Sequence, residues 1–142
     1  MLNANPQPTP MVSSLRLTTD GSTFVEDSTF FGSIIGALQY VNITHLELSF
    51  SVNWVCQYMH QPQLSHWKAV KCILRYLAST SNHGLHLCSS PMYSVTGFND
   101  SNWATDLDDR KSTTGYCIFV GHNFVLWSSK KQKVISRSNK EA

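Results

Sequence analysis

Val95-Thr-Gly-Phe-Asn-Asp100-Ser-Asn-Trp-Ala104, followed by Asp106-Leu-Asp-Asp-Arg-Lys111 and by Gly115-Tyr-Cys-Ile-Phe-Val120, is the stretch that decides the fold. A short apolar run, Tyr93, Val95 and Phe98, carries one carboxylate, Asp100, at its end. An acidic, Gly-punctuated turn follows. Gly115 to Val120 and Phe124 to Ser128 then read as strands, because they are rich in aromatic and β-branched residues and bounded by turn residues. The pattern predicts the opening of a β-hairpin sheet with a carboxylate at a strand end. A basic segment, Lys130 to Lys140, leads to Glu141 and into a helix that has barely begun.

Upstream the period changes from two to between three and four. Phe31, Ile34, Ile35, Leu38 and Val41 mark one face of a helix starting at Thr29 or Phe30, with Ser28 as its cap. Gly32 and Gly36 predict a flat strip for tight helix packing. Thr44 and Glu47 have capping-box spacing ahead of a second stripe, Leu48, Val52, Val55 and Met59. His60-Gln-Pro62 ends that helix, since the residue before proline is pushed out of helical geometry. Leu64 to Ala78 is the clearest helix, with Trp67, Val70, Ile73, Leu74 and Leu77 facing one way.

Residues 1–27 read as an extended linker lying across a surface. Pro6, Pro8 and Pro10 favour extended backbone, and Asp20-Gly21 signals a turn. Leu85 to Cys88 reads as a short strand. The shift from helices to strands near residues 80–92 predicts two structural units, 28–92 and 93–142, and an α+β fold: a helical N-terminal half followed by a three-stranded antiparallel sheet.

Composition narrows the function. The hydrophobic fraction of 42% suits a globular chain, and the charged fraction of 14% is low against a usual ~25%. With four Trp and seven Phe, some apolar surface is expected to meet a partner or another part of a longer chain. Charge is uneven: −3 over residues 1–60 and +4 over residues 129–142, which makes the C-terminal end the expected contact for a polyanion. Cys56, Cys72, Cys88 and Cys117 form no CxxC pair and read as reduced, mostly buried thiols of an intracellular protein. There is no signal-peptide apolar region and no apolar run of membrane-spanning length, so no membrane partner is expected.

Two sets of cations are candidates for nucleic-acid phosphates. Lys68, Lys71 and Arg75 line the polar face of the third helix, and Lys130, Lys131, Lys133, Arg137 and Lys140 fill the tail. The helix set reads first as a solvated helix face, and the tail set reads equally as a lysine-guarded edge strand, with Lys133, Ile135 and Arg137 alternating if that edge is a strand. Trp103 and Trp127 can stack on bases, but burial in the sheet is the expected fate of both. Asp106, Asp108 and Asp109 read as an exposed acidic turn. His83-x-x-His86-x-Cys88 lacks the second ligand cluster of a closed zinc site. No GxSxG motif and no glycine-rich phosphate loop is present.

Seven short motifs occur in one order and spacing. They are Gly32-Ser-Ile-Ile-Gly-Ala-Leu-Gln-Tyr40, Val55-Cys-Gln-Tyr-Met-His60, His66-Trp-Lys-Ala-Val-Lys71, Ile73-Leu-Arg-Tyr-Leu77, Asp100-Ser-Asn-Trp-Ala104, Asp109-Arg-Lys-Ser-Thr-Thr-Gly-Tyr116 and Trp127-Ser-Ser-Lys-Lys-Gln-Lys133. Together they resemble the Pol polyprotein of copia-type LTR retrotransposons, a family of RNA-directed DNA polymerases with ribonuclease H activity. The resemblance runs from about Thr9 to the last residue. It implies that residues up to about 92 are the end of the reverse transcriptase region and its connection, and that residues 93–142 open a ribonuclease H-like domain.

The same resemblance implies the chemistry. Ribonuclease H cleavage is in-line attack of water on a phosphodiester, with two Mg²⁺ ions held by convergent carboxylates. Asp100 matches the first of these, at the end of the first strand. The second matches the residue that would follow Ala142, and the later ones lie further on. The paired polymerase carboxylates belong upstream of everything present. The expectation is a fragment without activity of its own, binding no Mg²⁺ tightly. Its partners would be an RNA–DNA hybrid or other nucleic acid and the rest of the polyprotein. The alternatives are a non-catalytic nucleic-acid-binding module and part of a longer active enzyme. Thr44-His-Leu-Glu47, Asn102 and Asn139-Lys-Glu-Ala142 depart from the family pattern and point to a decayed or truncated element.

Overall fold

A computed structural model describes residues 5–12, 15–19, 23–104, 106 and 108–135. The chain is α+β and divides into two compact units, Met1–His83 and Gly84–Ala142. In the first, the element order is α1 (Ser28–Val41), a 3₁₀ turn (Leu46–Leu48), α2 (Ser49–Cys56) and α3 (Leu64–Ser79). In the second it is β1 (Val95–Asn102), β2 (Thr113–Val120) and β3 (Asn123–Lys131), an antiparallel sheet in the order β1-β2-β3. No helix of the described residues is long and apolar enough to cross a membrane.

The helical core follows the predicted stripes. Phe31, Ile35 and Leu38 of α1 are buried with Leu48, Val52 and Val55 and with Ala69, Val70 and Ile73 of α3. Each large apolar side chain so buried contributes roughly 1.5–3 kcal/mol. Phe31 packs at a tilt against Trp67, ring centroids 5.9 Å apart.

The caps differ from the sequence reading. Asp27, and not Ser28, caps α1: its carboxylate accepts from the Phe30 N–H at 2.8 Å. Thr44 caps nothing downstream, because its hydroxyl turns back and donates to the Val41 carbonyl at 3.1 Å. His45 then enters the 3₁₀ turn, and α2 closes at Cys56, well short of Pro62. Gly36 has open space where a Cβ would stand, so no backbone packs against it among the described residues.

The largest departure is the segment read as a surface linker. It is extended, but Leu17 is only 2% exposed and completes the helical core. The Tyr58 hydroxyl donates to the Leu17 carbonyl at 2.9 Å. His66, fully buried in α3, meets the Thr18 carbonyl through Nε2 at 3.0 Å and accepts the Gln63 N–H on Nδ1 at 3.0 Å. The Gln63 amide donates to the Thr19 carbonyl. Further along, the Val25 N–H bonds Pro62 O and the Leu64 N–H bonds Thr23 O, both at 2.9 Å. A buried strap must place its backbone polar groups, and the α2–α3 turn supplies the partners.

In the sheet unit, Leu85 to Cys88 forms no strand. Its pairing is taken by a side chain: Asn123 Oδ1 accepts from the Cys88 N–H at 2.7 Å, and Asn123 Nδ2 donates to the Cys88 carbonyl at 2.8 Å. β2 and β3 join through Gly121-His122, with Gly121 at φ +58°, the left-handed geometry that favours Gly at the first position of a two-residue hairpin loop. The third strand ends at Lys131, so Lys133 and Ile135 do not alternate on it.

Candidate functional site

Register places Asp100 on the sheet. Alternate residues of a strand share a face. Asp100 lies in one row with Gly115 and Ser129, and the next row on that face is Phe98, Cys117 and Trp127. Gly115 has no side chain, so nothing on β2 shields the carboxylate in its row. Asp100 is exposed on β1, which among the described residues pairs only with β2. An aromatic run begins beside it. Phe98 meets Phe119 edge-on at 6.0 Å, Phe119 meets Phe124 at 4.9 Å, and Phe124 stacks on Trp127 at 5.1 Å. Trp127 is half-buried, whereas Trp103 is exposed, contrary to the expectation for it, because it falls just past the end of β1.

The acidic turn is only in part the solvated loop that the sequence suggests: Asp108 is exposed, but Asp106 and Asp109 are engaged. The Asp106 side chain is 7% exposed and organises the loop between β1 and β2. Its Oδ1 accepts the N–H groups of Asp108 and Asp109, and its Oδ2 pairs with Lys131 Nζ at 2.7 Å. Asp109 pairs with the same Nζ at 2.9 Å and with Lys111 at 3.0 Å. Lys131 therefore ties β3 to this loop. Ser112 was not singled out in the sequence, yet it is fully buried: its hydroxyl accepts from the Ala104 N–H at 3.2 Å and its carbonyl from the Gln132 N–H at 2.8 Å.

The ion pairs set a pH dependence. Burial alone would raise the Asp109 carboxyl, but hydrogen bonds from Lys131 and Lys111 outweigh it and hold the group at about 2. Burial alone would lower Lys131, but Asp106 and Asp109 raise it. An unfolded aspartate titrates near 3.9. The Asp109 contribution is therefore complete above about pH 4 and is lost as pH falls toward about 2. The Lys131 contribution is complete below the ordinary lysine value, ~10.4, and is lost as pH rises past it. We expect Lys131→Met to flatten the acid loss of sheet stability in thermal melts between about pH 4 and 2. An unchanged slope in that variant would contradict the assignment.

The other cations are spread over both units. Lys68 and Lys71 are exposed on α3, and Lys71 Nζ sits 5.6 Å from the centre of the Trp67 ring. Arg75 is partly buried, and its Nε has no hydrogen-bond partner. Lys130 and Lys133 are exposed in the sheet unit, with Lys130 on the face opposite Asp100. Arg137 and Lys140 lie outside the described residues. Among the thiols, Cys56, Cys72 and Cys117 are partly buried and Cys88 is exposed, so the expectation of mostly buried cysteines is not met.

The residues present do not fit a pair of Mg²⁺ ions. Among the described residues no three His, Cys, Asp or Glu side chains converge, and Asp106 and Asp109 are committed to Lys131.

Comparison with known proteins places the chain. The retrovirus-related Pol polyproteins from transposons RE2 and RE1 of Arabidopsis thaliana are 46% and 44% identical to it over 142 residues, and the whole chain is matched in each case. An uncharacterized mitochondrial protein of the same plant is 42% identical, matching 99% of this chain and 58% of its own length. No family model matches the chain, and no solved structure matches it. The chain spans about a tenth of the length of the two transposon polyproteins. With nearly half of its residues shared along its entire length, the chain is a homologue of one segment of the retrovirus-related Pol polyproteins from transposons.

Proposed function

We propose that this chain is the segment of a Pol polyprotein that joins the end of the reverse transcriptase region to the start of a ribonuclease H-like domain. Residues 28–92 supply the connection helices and residues 93–142 the opening sheet. The observation that carries this reading is the placement of Asp100: an exposed carboxylate on the edge strand of a β1-β2-β3 antiparallel sheet. In the whole domain Asp100 would be the first of several carboxylates around Mg²⁺. One carboxylate cannot fix two ions, so the chain alone does not cleave.

Nucleic-acid contact is separable from cleavage. Lys68, Lys71, Lys130 and Lys133 are exposed, and phosphate binding by lysines releases counterions. We expect the purified chain to bind an RNA–DNA hybrid with an affinity that falls steeply with salt, and to leave the RNA strand intact in Mg²⁺. Hybrid cleavage that depended on both Mg²⁺ and Asp100 would overturn the incomplete-site reading. Binding that ignored salt would overturn the phosphate contacts.

A further inference from the structure

We propose that the outer face of α3, with Phe30 of α1 against it, binds single-stranded nucleic acid by stacking a base on Phe30. The proposal rests on the phosphate-contact reading of Lys68 and Lys71 above, and adds the form of nucleic acid that this face selects. Two features of the helical unit carry it, a braced exposed ring and an unpaired row of cations.

The ring is braced from the core. Phe31 is fully buried. Trp67 leans on Phe31 and on Phe30, with ring centroids 5.9 Å apart in both pairs. Phe30 is nevertheless 54% exposed. An exposed ring held in place through Trp67 loses little freedom when a flat partner settles on it. Leu64, one turn before Trp67 and Lys68 on α3, is also exposed and extends the apolar surface.

The cations follow the same face. Lys68, Lys71 and Arg75 recur at steps of three and four along α3, so they form one row. A helix rise of 1.5 Å per residue spaces them about 4.5 and 6 Å along the axis, the scale of neighbouring phosphates on one strand. None of the three side chains makes an ion pair or hydrogen bond among the described residues, whereas Lys111 and Lys131 of the sheet unit are held by aspartates. Asp27, the acid nearest Phe30 in α1, is engaged by the Phe30 N–H at 2.8 Å. Lys71 Nζ sits 5.6 Å from the centre of the Trp67 ring, which keeps a positive charge beside the stacking surface.

The combination selects a single strand. In a duplex or hybrid the faces of each base are covered by its neighbours, so the cations can touch the backbone but Phe30 finds no base face. An unstacked base offers its face to any aromatic ring, and the row of cations tracks the backbone beside it. An acidic peptide would also satisfy the lysines, but it would gain nothing from a ring over an aliphatic side chain of similar size.

The test follows fluorescence anisotropy of a labelled oligothymidine about a dozen nucleotides long, free and paired with oligoriboadenosine, on titration with the full 142-residue chain and its variants. Phe30→Leu keeps the apolar bulk and is expected to weaken single-strand binding roughly fivefold or more, with hybrid binding unchanged. Phe30→Tyr, which keeps a ring, is expected to bind both as the wild type does. Lys68→Gln combined with Lys71→Gln is expected to weaken both ligands. Unchanged single-strand binding in Phe30→Leu would overturn the stacking, and the phosphate reading would stand if the lysine variant still lost both ligands. Equal loss of both ligands in Phe30→Leu would overturn the selectivity for a single strand. Affinities indifferent to the lysine changes would overturn the phosphate reading and the proposal with it.

Discussion

Leu17→Asp is expected to abolish the cooperative unfolding transition of the helical unit. Leu17 sits in the core beside residues from all three helices, although it comes from a segment with no regular structure. A carboxylate there must be desolvated among Phe31, Ile35, Leu38 and Val70, all at or below 2% exposure. Burying a polar group without a partner costs several kcal/mol, and a charge costs more. A unit of this size holds only about 5–10 kcal/mol in total. The milder Leu17→Ala should cost about 2–5 kcal/mol through lost burial and the cavity left behind. Denaturant unfolding followed by Trp54 and Trp67 fluorescence would measure both. If the segment merely crossed the surface, either change would stay within about 0.5 kcal/mol.

Gly121→Ala should be the most damaging single-methyl change in the sheet unit. Gly121 has φ +58°, which costs an L-residue about 1–2 kcal/mol. A Cβ at that position would also meet the Ser90 hydroxyl oxygen, the Met92 carbonyl oxygen at 2.7 Å and Ser90 Cβ at 2.7 Å. The Met92 oxygen is backbone and cannot rotate away. Ser90 is itself fixed, its hydroxyl donating to Met92 O at 2.8 Å. The Gly121 N–H bonds Ser94 O at 2.8 Å, so the hairpin loop and residues 90–94 are one packed corner. Strain and overpacking together predict a loss of about 3 kcal/mol. The melt of the sheet unit should drop by several degrees, and that of the helical unit should not move. Gly97→Ala, where a Cβ has open space, is the control.

What was legible in the sequence was periodicity. The α1 and α3 stripes and the order of the three strands follow from spacing alone, because burial on one face forces that spacing. Leu17 was not legible, since Met11, Val12, Leu15 and Leu17 fit no regular period in a segment led by three prolines. His66 and Gln63 were not legible either. Their role depends on the strap carbonyls that fold back from more than forty residues earlier. At the candidate site, Asp100 was found by motif and its exposure on an edge strand by structure. The Asp106–Lys131 pair was missed because its partners lie 25 residues apart, and it becomes visible only once β3 returns beside the loop. A run of acids looks the same in a sequence whether it meets water or a lysine.

The most direct test of the central claim is hybrid cleavage by a chimera. The corresponding segment of the transposon RE2 polyprotein would be replaced by this chain, which matches it at 46% identity over 142 residues. If Asp100 is the first ribonuclease H carboxylate, the chimera cleaves the RNA of an RNA–DNA hybrid in Mg²⁺, and Asp100→Asn lowers the rate by a factor on the order of 10² or more. Undiminished cleavage by the Asp100→Asn chimera would contradict the account.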